Sequence, residues 1–546
     1  MASPDDCLAI AGAWLDTFSA GFASSDAEAI AQRFHSYGFL RDILTFTWTN
    51  RTLVGRPKIE PFLAQHLAHA EICDLELSKG PHLSPHFQPI AGAVVSGFTF
   101  ETRVGPGLGC MLLTRPMGYP DGEWKALSVL MTLRDIRAHE EAGPEDGVYG
   151  GHTIPWEDHD RERREKIEAD PYVLILGGGQ TGLNVGARFK QMDISSIILE
   201  RTAVVSNVPA NWPYFTSRDK LAVWLEQYAV GQDLVVWTSS TLLPTPTFDE
   251  STKRWTATVS RAGNLVTLKP AHIVVAAGTL GSAYYPPMAN PSVFGGTILH
   301  TANYHGAAAF SGKRVVVVGA GNSAADVCQD SVVAGAASVT MVQRSSTCVM
   351  SVETARAGQL NFWPEGVPTE VADLKVNALP TLLIEKPVHE GLREAGLKLN
   401  MGPDGAGAYL LMFERFGGFW LDVGCAQLIR DGKVKVKQGV EPASFTANSI
   451  VFTDGSSLEA DIVVFATSYK SIRDDLRPLF GDAVIDQTAP LWGLDDEGEL
   501  KGCYHPSGYP HLWFAAGNFT ISRFFSKQLA LTIKGIQLGL YEEFSA

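Results

Sequence analysis

The chain of 546 residues is poor in positive charge, with 44 Lys and Arg against 59 Asp and Glu, a formal net charge of -15. That balance excludes a polyanion partner, because nucleic-acid affinity rests largely on Lys and Arg displacing counterions. The seven cysteines (Cys7, Cys73, Cys110, Cys328, Cys348, Cys425, Cys503) form no CxxC pair and have no histidine at zinc spacing. A disulfide scaffold and a structural zinc site are therefore excluded, and free thiols in a reducing compartment are expected. No apolar run approaches the roughly 20 residues of a membrane span, and the opening MASPDDCLAIAG carries two acids where a secretory leader needs a base. The expectation is a soluble, cytoplasmic protein with no membrane contact. GxSxG, HExxH and a Walker lysine are also missing, so no nucleophile triad or metal cluster is expected.

With 45% of residues hydrophobic and about 150 residues per domain, the length allows three or four folding units. From Asp6 the residues Leu8, Ala11, Leu15 and Phe18 recur at helical steps, and Ser25 with Glu28 suggests a capping box for a second helix. The stretch RDILTFTWTNRTLVG reads as strand and PKIEPFLAQHLAHA as a short helix. AGAVVSGFTFETR, GCMLLTRPM and WKALSVLMTLRDI read as three more strands. This order over residues 1–137 resembles the cone-shaped α+β NTF2-like (SnoaL-like) family, in which a curved sheet wraps helices around a pocket. The resemblance makes His35, Asp42 and His66 acid/base candidates; the plainer reading, which general burial statistics favour, is that they are satisfied or surface polar groups. Residues 138–170 are dense in charge and read as a linker ending in a short solvated helix.

After the linker, YVLILGGGQTGLNVGARFKQMDISSIILE reads as strand, glycine turn, helix and a second strand ending in an acid. Gly177, Gly179 and Gly182 fit GxGxxG, and Gln180 and Thr181 open the helix. The first glycine makes the tight turn, the second lets a pyrophosphate approach the backbone, and the third lets helix and strand pack closely. Glu200 stands where a carboxylate accepts hydrogen bonds from an adenosine ribose. The pattern returns 142 positions later as Gly319, Gly321 and Ala324, with Asn322 and Ser323 opening the helix. There the second strand ends on Arg344 and Ser345. A guanidinium can pair with a 2′-phosphate that a carboxylate would repel, so this site should prefer NADPH to NADH. Two strand-to-small-residue turns, Ala276-Ala277-Gly278 and Ala466-Thr467-Ser468, follow the two motifs, and Phe294, Gly296, His300 and Tyr304 spell FxGxxxHxxxY.

With TSRDKLAVWLEQYA, VTMVQRSSTCVMS and HLWFAAGNFTISRFFSKQLAL, these features resemble the flavin-containing monooxygenases, in the fungal form that carries an NTF2-like domain ahead of the flavoprotein. The resemblance runs from about Tyr172 to Tyr541. It implies an α/β flavoprotein with two Rossmann-type dinucleotide folds: FAD-binding over 171–305, NADPH-binding over 306–445 and FAD-binding again over 446–546. It places Gly517 and Asn518 at a helix start against the flavin. The implied chemistry is that NADPH reduces FAD, O2 adds at the flavin 4a carbon, and one oxygen atom passes to a small organic substrate, in specialised metabolism. The terminal Tyr304 points to oxygenation of nitrogen, sulfur or small acids.

Three departures from the family pattern stand out. Only RTAVVSNVPAN separates Glu200 from Trp212, so the segment that normally lines the flavin ring is missing; Asn207 and Asn211 are candidates to replace it. Ala466-Thr467-Ser468 stands where the family has Ala-Thr-Gly, and the stretch from Leu383 to Val388 is shortened. A Gly-to-Ser change matters only where the backbone has positive φ or lies against cofactor. A silent homologue with a ligand-binding or scaffold role remains the alternative, with a flavin-dependent reductase behind it.

Overall fold

The computed structural model describes residues 3–89, 92–115, 122–143, 155–201, 218–379, 400, 407–415 and 417–542. The shortened stretch after Glu200, with Asn207, Asn211 and Trp212, and the stretch from Leu383 to Val388 lie outside them.

The chain opens with helix α1 (Pro4–Ala23), which starts two residues before the periodic pattern suggests because Ser3 and Asp6 form a capping box. Helix α2 (Ala27–Ala31) is capped by Asp26, whose side chain accepts from the Ala29 N–H, and not by Ser25, which holds φ +52°. The expected single strand after it is a hairpin, β1 (Phe34–Ile43) and β2 (Asn50–Val54), because the buried Asp42 folds the intervening bend around its carboxylate. Helix α3 (Arg56–Ala70) follows. Strands β3 (Cys73–Leu77), β4 (His86–Gln88), β5 (Ala93–Glu101), β6 (Pro106–Thr114) and β7 (Lys125–Leu133) complete a seven-stranded sheet of order β2-β1-β7-β6-β5-β3, with β4 paired to β5. Only β1 and β7 pair in parallel.

Both faces of this sheet are covered. In β6, Met111 and Leu113 pack with Trp14, Phe18 and Phe34 on the side of the sheet's own helices. Cys110, one residue out of step, joins Leu130, Leu133 and Ile43 in a core shared with Phe525 and Leu529 of the C-terminal helix (Phe519–Gln537). Successive strand residues face opposite ways, so one strand feeds two cores. The C-terminal helix is accordingly buried nearly all round.

Two parallel five-stranded sheets follow, both of Rossmann type. The first has the order Val236–Trp237, Ser196–Leu199, Val173–Leu176, His272–Val275, Leu512–Phe514. The second has the order Thr297–His300, Ile462–Phe465, Arg314–Val318, Ser338–Gln343, Val434–Gln438. Thr297–His300 and Ile462–Phe465 thus stand in the second sheet, although the expected boundaries at 305 and 445 put them with the FAD-binding parts. The physical reason is pairing: Ile462–Phe465 is hydrogen-bonded between Thr297–His300 and Arg314–Val318 and cannot leave that sheet. The crossings between the two folds are Leu280–Ala283 and Tyr469–Ser471, which pair with each other as a two-stranded ribbon. In the charged stretch 138–170 the helix Trp156–Ala169 has no buried residue, as expected for a solvated helix. Among the described residues, no helix is long and apolar enough to cross a membrane.

Candidate functional site

Both glycine turns are built alike. Gly177 N–H donates to Leu199 O at 2.9 Å and Gly319 N–H to Val342 O at 2.9 Å. Ala276 N–H donates to Leu176 O, and Ala466 N–H to Val318 O, each at 2.8 Å. Gly177 holds φ +114° and Gly319 φ +131°, and a Cβ would come within 2.6 Å of Ala276 O at the first and 2.4 Å of Ala466 O at the second. Each turn therefore needs glycine twice over, for its backbone angle and for its closeness to the small-residue turn beside it. At Gly182 a Cβ would meet Gly177 O at 2.0 Å, which is the close helix–strand packing expected of a third glycine. Ala324, fully buried, takes that place in the second turn.

Gly179 differs from its neighbours: among the described residues nothing stands within 4 Å of where its Cβ would be. It opens onto a cleft of about 810 Å³. Gly177, Gly179, Gln180, Thr181, Glu200 and Gly517 line this cleft together, from five separate stretches of chain if the small-residue turn Ala276-Ala277-Gly278 and the segment Ile472–Leu479 are included. The Gln180–Gln191 helix begins there with no side-chain cap, which leaves its first N–H groups directed at the cleft. Glu200 reaches back to accept from the Gly178 N–H at 2.8 Å, so the acid at the strand end also shapes the glycine turn. Gln180 donates through Nε2 to Gly517 O and to Thr181 Oγ1, and its buried Oε1 has no partner among the described residues. Asn518 caps the C-terminal helix by accepting from the Ile521 N–H at 3.0 Å. Ser240, Arg201 and Asp475 also line the cleft and carry no local motif that would have singled them out. Asp475 is held there by Ser282, whose hydroxyl lies 3.0 Å from it.

In the second fold, the helix Asn322–Val333 again starts without a side-chain cap. Asn322 uses its amide oxygen to accept from the Leu421 N–H at 2.8 Å, tying the helix start to the strand Phe419–Asp422. Ser323 is exposed. Arg344 and Ser345 are exposed just past the strand Ser338–Gln343; the Arg344 guanidinium meets Glu441 at 3.5 Å.

The FxGxxxHxxxY residues hold the framework. Phe294 packs on Phe445, and a Cβ on Gly296 would strike Asp461 O at 2.3 Å. His300 accepts from the Ala302 N–H through Nδ1 and donates through Nε2 to Ser468 O at 3.0 Å. The Tyr304 hydroxyl donates to Asp330, and burial followed by that carboxylate raises its pKa. Tyr304 thus staples the helix Asn322–Val333 to the segment that follows the strand Thr297–His300.

The three N-terminal candidates are dispersed. Asp42 is fully buried, and its carboxylate accepts from the N–H groups of Thr45, Phe46 and Thr47 and from the Thr47 hydroxyl. Burial pushes it up to about 6 against the pull of those four donors. His35 bonds Thr114 Oγ1 at 2.8 Å and burial lowers its pKa. His66 lies against the ring of Phe62, lowered likewise. The helix-covered side of the sheet is filled by rings: Phe100 and Phe98 occupy the notches left by Gly107 and Gly109, where a Cβ would lie 2.1 Å from either ring. Asp42 and His35 are hydrogen-bonded polar groups beside an aromatic core, and His66 is a half-buried ring packed on Phe62.

The profile of the FMO-like (flavin-binding monooxygenase-like) family matches residues 204–485, just over half of the chain. The chain belongs to that family. It is an FAD- and NADPH-dependent monooxygenase. Among its relatives, a probable indole-3-pyruvate monooxygenase of Arabidopsis thaliana, YUCCA3, is 27% identical over 332 residues, 55% of this chain and 73% of the relative. Indole-3-pyruvate monooxygenase YUCCA8 of Oryza sativa is 26% identical over 382 residues, 62% of this chain and 82% of the relative. Among solved structures, a flavin-containing monooxygenase from Stenotrophomonas maltophilia is 18% identical with a TM-score of 0.43, covering 67% of this chain and 98% of its own. An oxidised steroid monooxygenase bound to NADP is 17% identical with a TM-score of 0.44, covering 67% and 85%.

Proposed function

We propose that the first glycine turn and its cleft hold FAD, the second turn holds NADPH, and the enzyme oxygenates a small organic molecule in specialised metabolism. The observation that carries this is the open face of Gly179 beside the buried Oε1 of Gln180, which has no partner among the described residues, in a cleft where Gly177 and Gly517 are packed tight. An absent side chain where a pyrophosphate approaches, and a polar atom awaiting a partner, suit a dinucleotide. Gly177, Gly179, Gln180, Thr181, Gly182, Gly517 and Asn518 would hold FAD, with Glu200 accepting from ribose hydroxyls. Gly319, Gly321, Asn322, Ser323, Ala324 and Ser345 would hold NADPH, with Arg344 paired to its 2′-phosphate. Bound FAD would supply the transfer of electrons from NADPH to O2. The chain's own part is to align the two cofactors across the Leu280–Ala283/Tyr469–Ser471 ribbon and to keep water from the reacting centre.

Residues 1–137 are read as an NTF2-like domain and the remainder as FAD-binding, NADPH-binding and FAD-binding parts, with the two-stranded ribbon marking the crossings. Seven cysteines free of disulfides support a reducing, cytoplasmic setting. The test is the visible spectrum of the purified protein supplied with FAD, followed by anaerobic NADPH. Flavin bands that bleach with NADPH are expected, and NADPH and O2 consumption would then be followed with candidate substrates, indole-3-pyruvate first. A colourless protein would refute the cofactor reading and leave the ligand-binding or scaffold role.

A further inference from the structure

The outer face of the N-terminal sheet carries Arg41, whose side chain is 13% exposed. Its Nε and one Nη each donate to the Glu499 carboxylate at 2.8 Å, and the other Nη donates to the backbone carbonyl of Asn377 at 2.7 Å. Glu499 also accepts from Thr52 Oγ1 of the same sheet at 2.6 Å. Ser128 Oγ donates to Ala378 O at 2.6 Å, so the end of the Thr369–Asn377 helix is gripped at two points.

From that helix end, polar contacts run inward. Asn377 Nδ2 donates to Asp373 O at 2.9 Å, one turn back. The Asp373 carboxylate accepts two bonds from Arg523, both at 2.6 Å, and one from Trp363 Nε1 at 2.8 Å. Arg523 lies in the C-terminal helix directly after Ser522, whose hydroxyl meets Thr181 Oγ1 at 2.9 Å and accepts from the Tyr504 hydroxyl at 3.2 Å. Thr181 is the second residue of the helix that opens on the glycine turn. Gly517 lines the cofactor cleft, while Thr520 and Ile521 line a second cavity of about 60 Å³ together with Arg41, Asp373 and Glu499. The first turn of the C-terminal helix therefore stands between the cleft and a chamber to which the N-terminal sheet contributes Arg41.

We propose that Arg41 is a positioning residue for the FAD site, acting through the Asn377 helix end, Asp373 and Arg523 to fix the first turn of the C-terminal helix. This rests on the cofactor reading above. Every link is a charge-assisted or backbone contact at least half-buried from solvent, and a fork held at both ends transmits position where a flexible surface pair would not. Arg41 reaches the cleft only through these partners. A purely adhesive role for the Arg41–Glu499 pair would change stability and leave the cleft as it is.

The experiment uses the full-length chain carrying Arg41→Gln, Asp373→Asn, both together, or Arg41→Lys. FAD is titrated by quenching of flavin fluorescence, the visible band of the bound flavin is recorded, and the melting temperature of each apoprotein is measured. Either single substitution is expected to raise the FAD Kd on the order of threefold to thirtyfold and to shift the flavin band, since perturbing a coupling network moves affinity by that much. The double variant should be no weaker than the worse single one, because both cut the same path. Arg41→Lys, which keeps the charge facing Glu499, should fall between. If Arg41→Gln does not fold, Arg41→Lys with Asp373→Asn completes the cycle. An unchanged Kd and band with a lowered melting temperature, or strictly additive losses, would overturn the proposal. Failure of the unaltered protein to take up FAD would instead sink the cofactor reading itself.

Discussion

His300 donates through Nε2 to the carbonyl of Ser468 at 3.0 Å, and Ser468 carries that carbonyl at φ +70°. Its counterpart in the first dinucleotide fold, Gly278, sits at φ +87°. The serine therefore occupies a left-handed position, one that costs a residue with a Cβ about 1–2 kcal/mol. Ser468→Gly is expected to stabilise the protein by roughly 1 kcal/mol, the gain being reduced by the greater freedom of glycine in the unfolded chain. Denaturant unfolding measures this; a destabilised variant would show that the serine side chain compensates for its backbone.

The glycines of the first turn should separate binding from folding. Gly179→Val places its side chain in open space, so the apoprotein is expected to melt where the unaltered protein does while losing stoichiometric FAD. Gly182→Ala drives a methyl to within 2.0 Å of Gly177 O and should lower apoprotein stability by roughly 1–3 kcal/mol or more. Flavin retained by the valine variant would move the cofactor away from this turn.

Arg344 is exposed and its contact with Glu441 is long, so its removal should leave folding within about 0.5 kcal/mol of the original. Arg344→Ala is nonetheless expected to weaken NADPH by about 1–3 kcal/mol and NADH hardly at all, the difference being the 2′-phosphate. Parallel titrations with the two nucleotides decide it; equal losses would make the arginine structural.

Acid should destabilise the first dinucleotide fold through two stacked histidines. His272 and His511 lie 4.4 Å apart between ring centroids; Trp513 donates to His272 Nδ1 at 3.1 Å, and the buried His272 Nε2 has no partner among the described residues. Burial lowers His272 well below its ordinary value and His511 to about 4. The unfolded chain takes up these protons near pH 6.5 while the folded one resists, so stability falls as the pH drops from about 6.5 towards 4. The loss assigned to His511 alone is roughly 3 kcal/mol at the bottom of that window. His511→Phe should flatten the acid limb of a melting-temperature profile, and an unchanged slope would assign the acid sensitivity elsewhere.

The dinucleotide turns were legible because their requirements are local: a glycine at Gly177 or Gly319 is dictated by the backbone angle and by the carbonyl of the next small-residue turn, all within one α/β unit. The capping of α2 was misread by one residue, since Ser25 and Asp26 compete for the same role and only the backbone at Ser25 decides between them. FxGxxxHxxxY was legible as a motif but not as a set of ties, because the partners of His300 and Tyr304 are Ser468 and Asp330, far along the chain. The second face of the N-terminal sheet had left a trace. The run Ser128-Val129-Leu130-Met131 is buried at every position, the mark of a strand covered on both sides, although nothing local says that the cover is the last helix of the chain.

Arg41 and Glu499 stand 458 residues apart in the sequence and are joined at 2.8 Å. During synthesis, the N-terminal sheet must emerge with Ile43, Leu130 and Leu133 on a bare face while the helix that covers them is still untranslated. At about 5–20 residues per second that interval lasts from roughly twenty seconds to over a minute. The nascent sheet is thus a sticky intermediate by construction, and a chain stopped before Phe519 should partition to chaperones or aggregates instead of persisting as a folded front half.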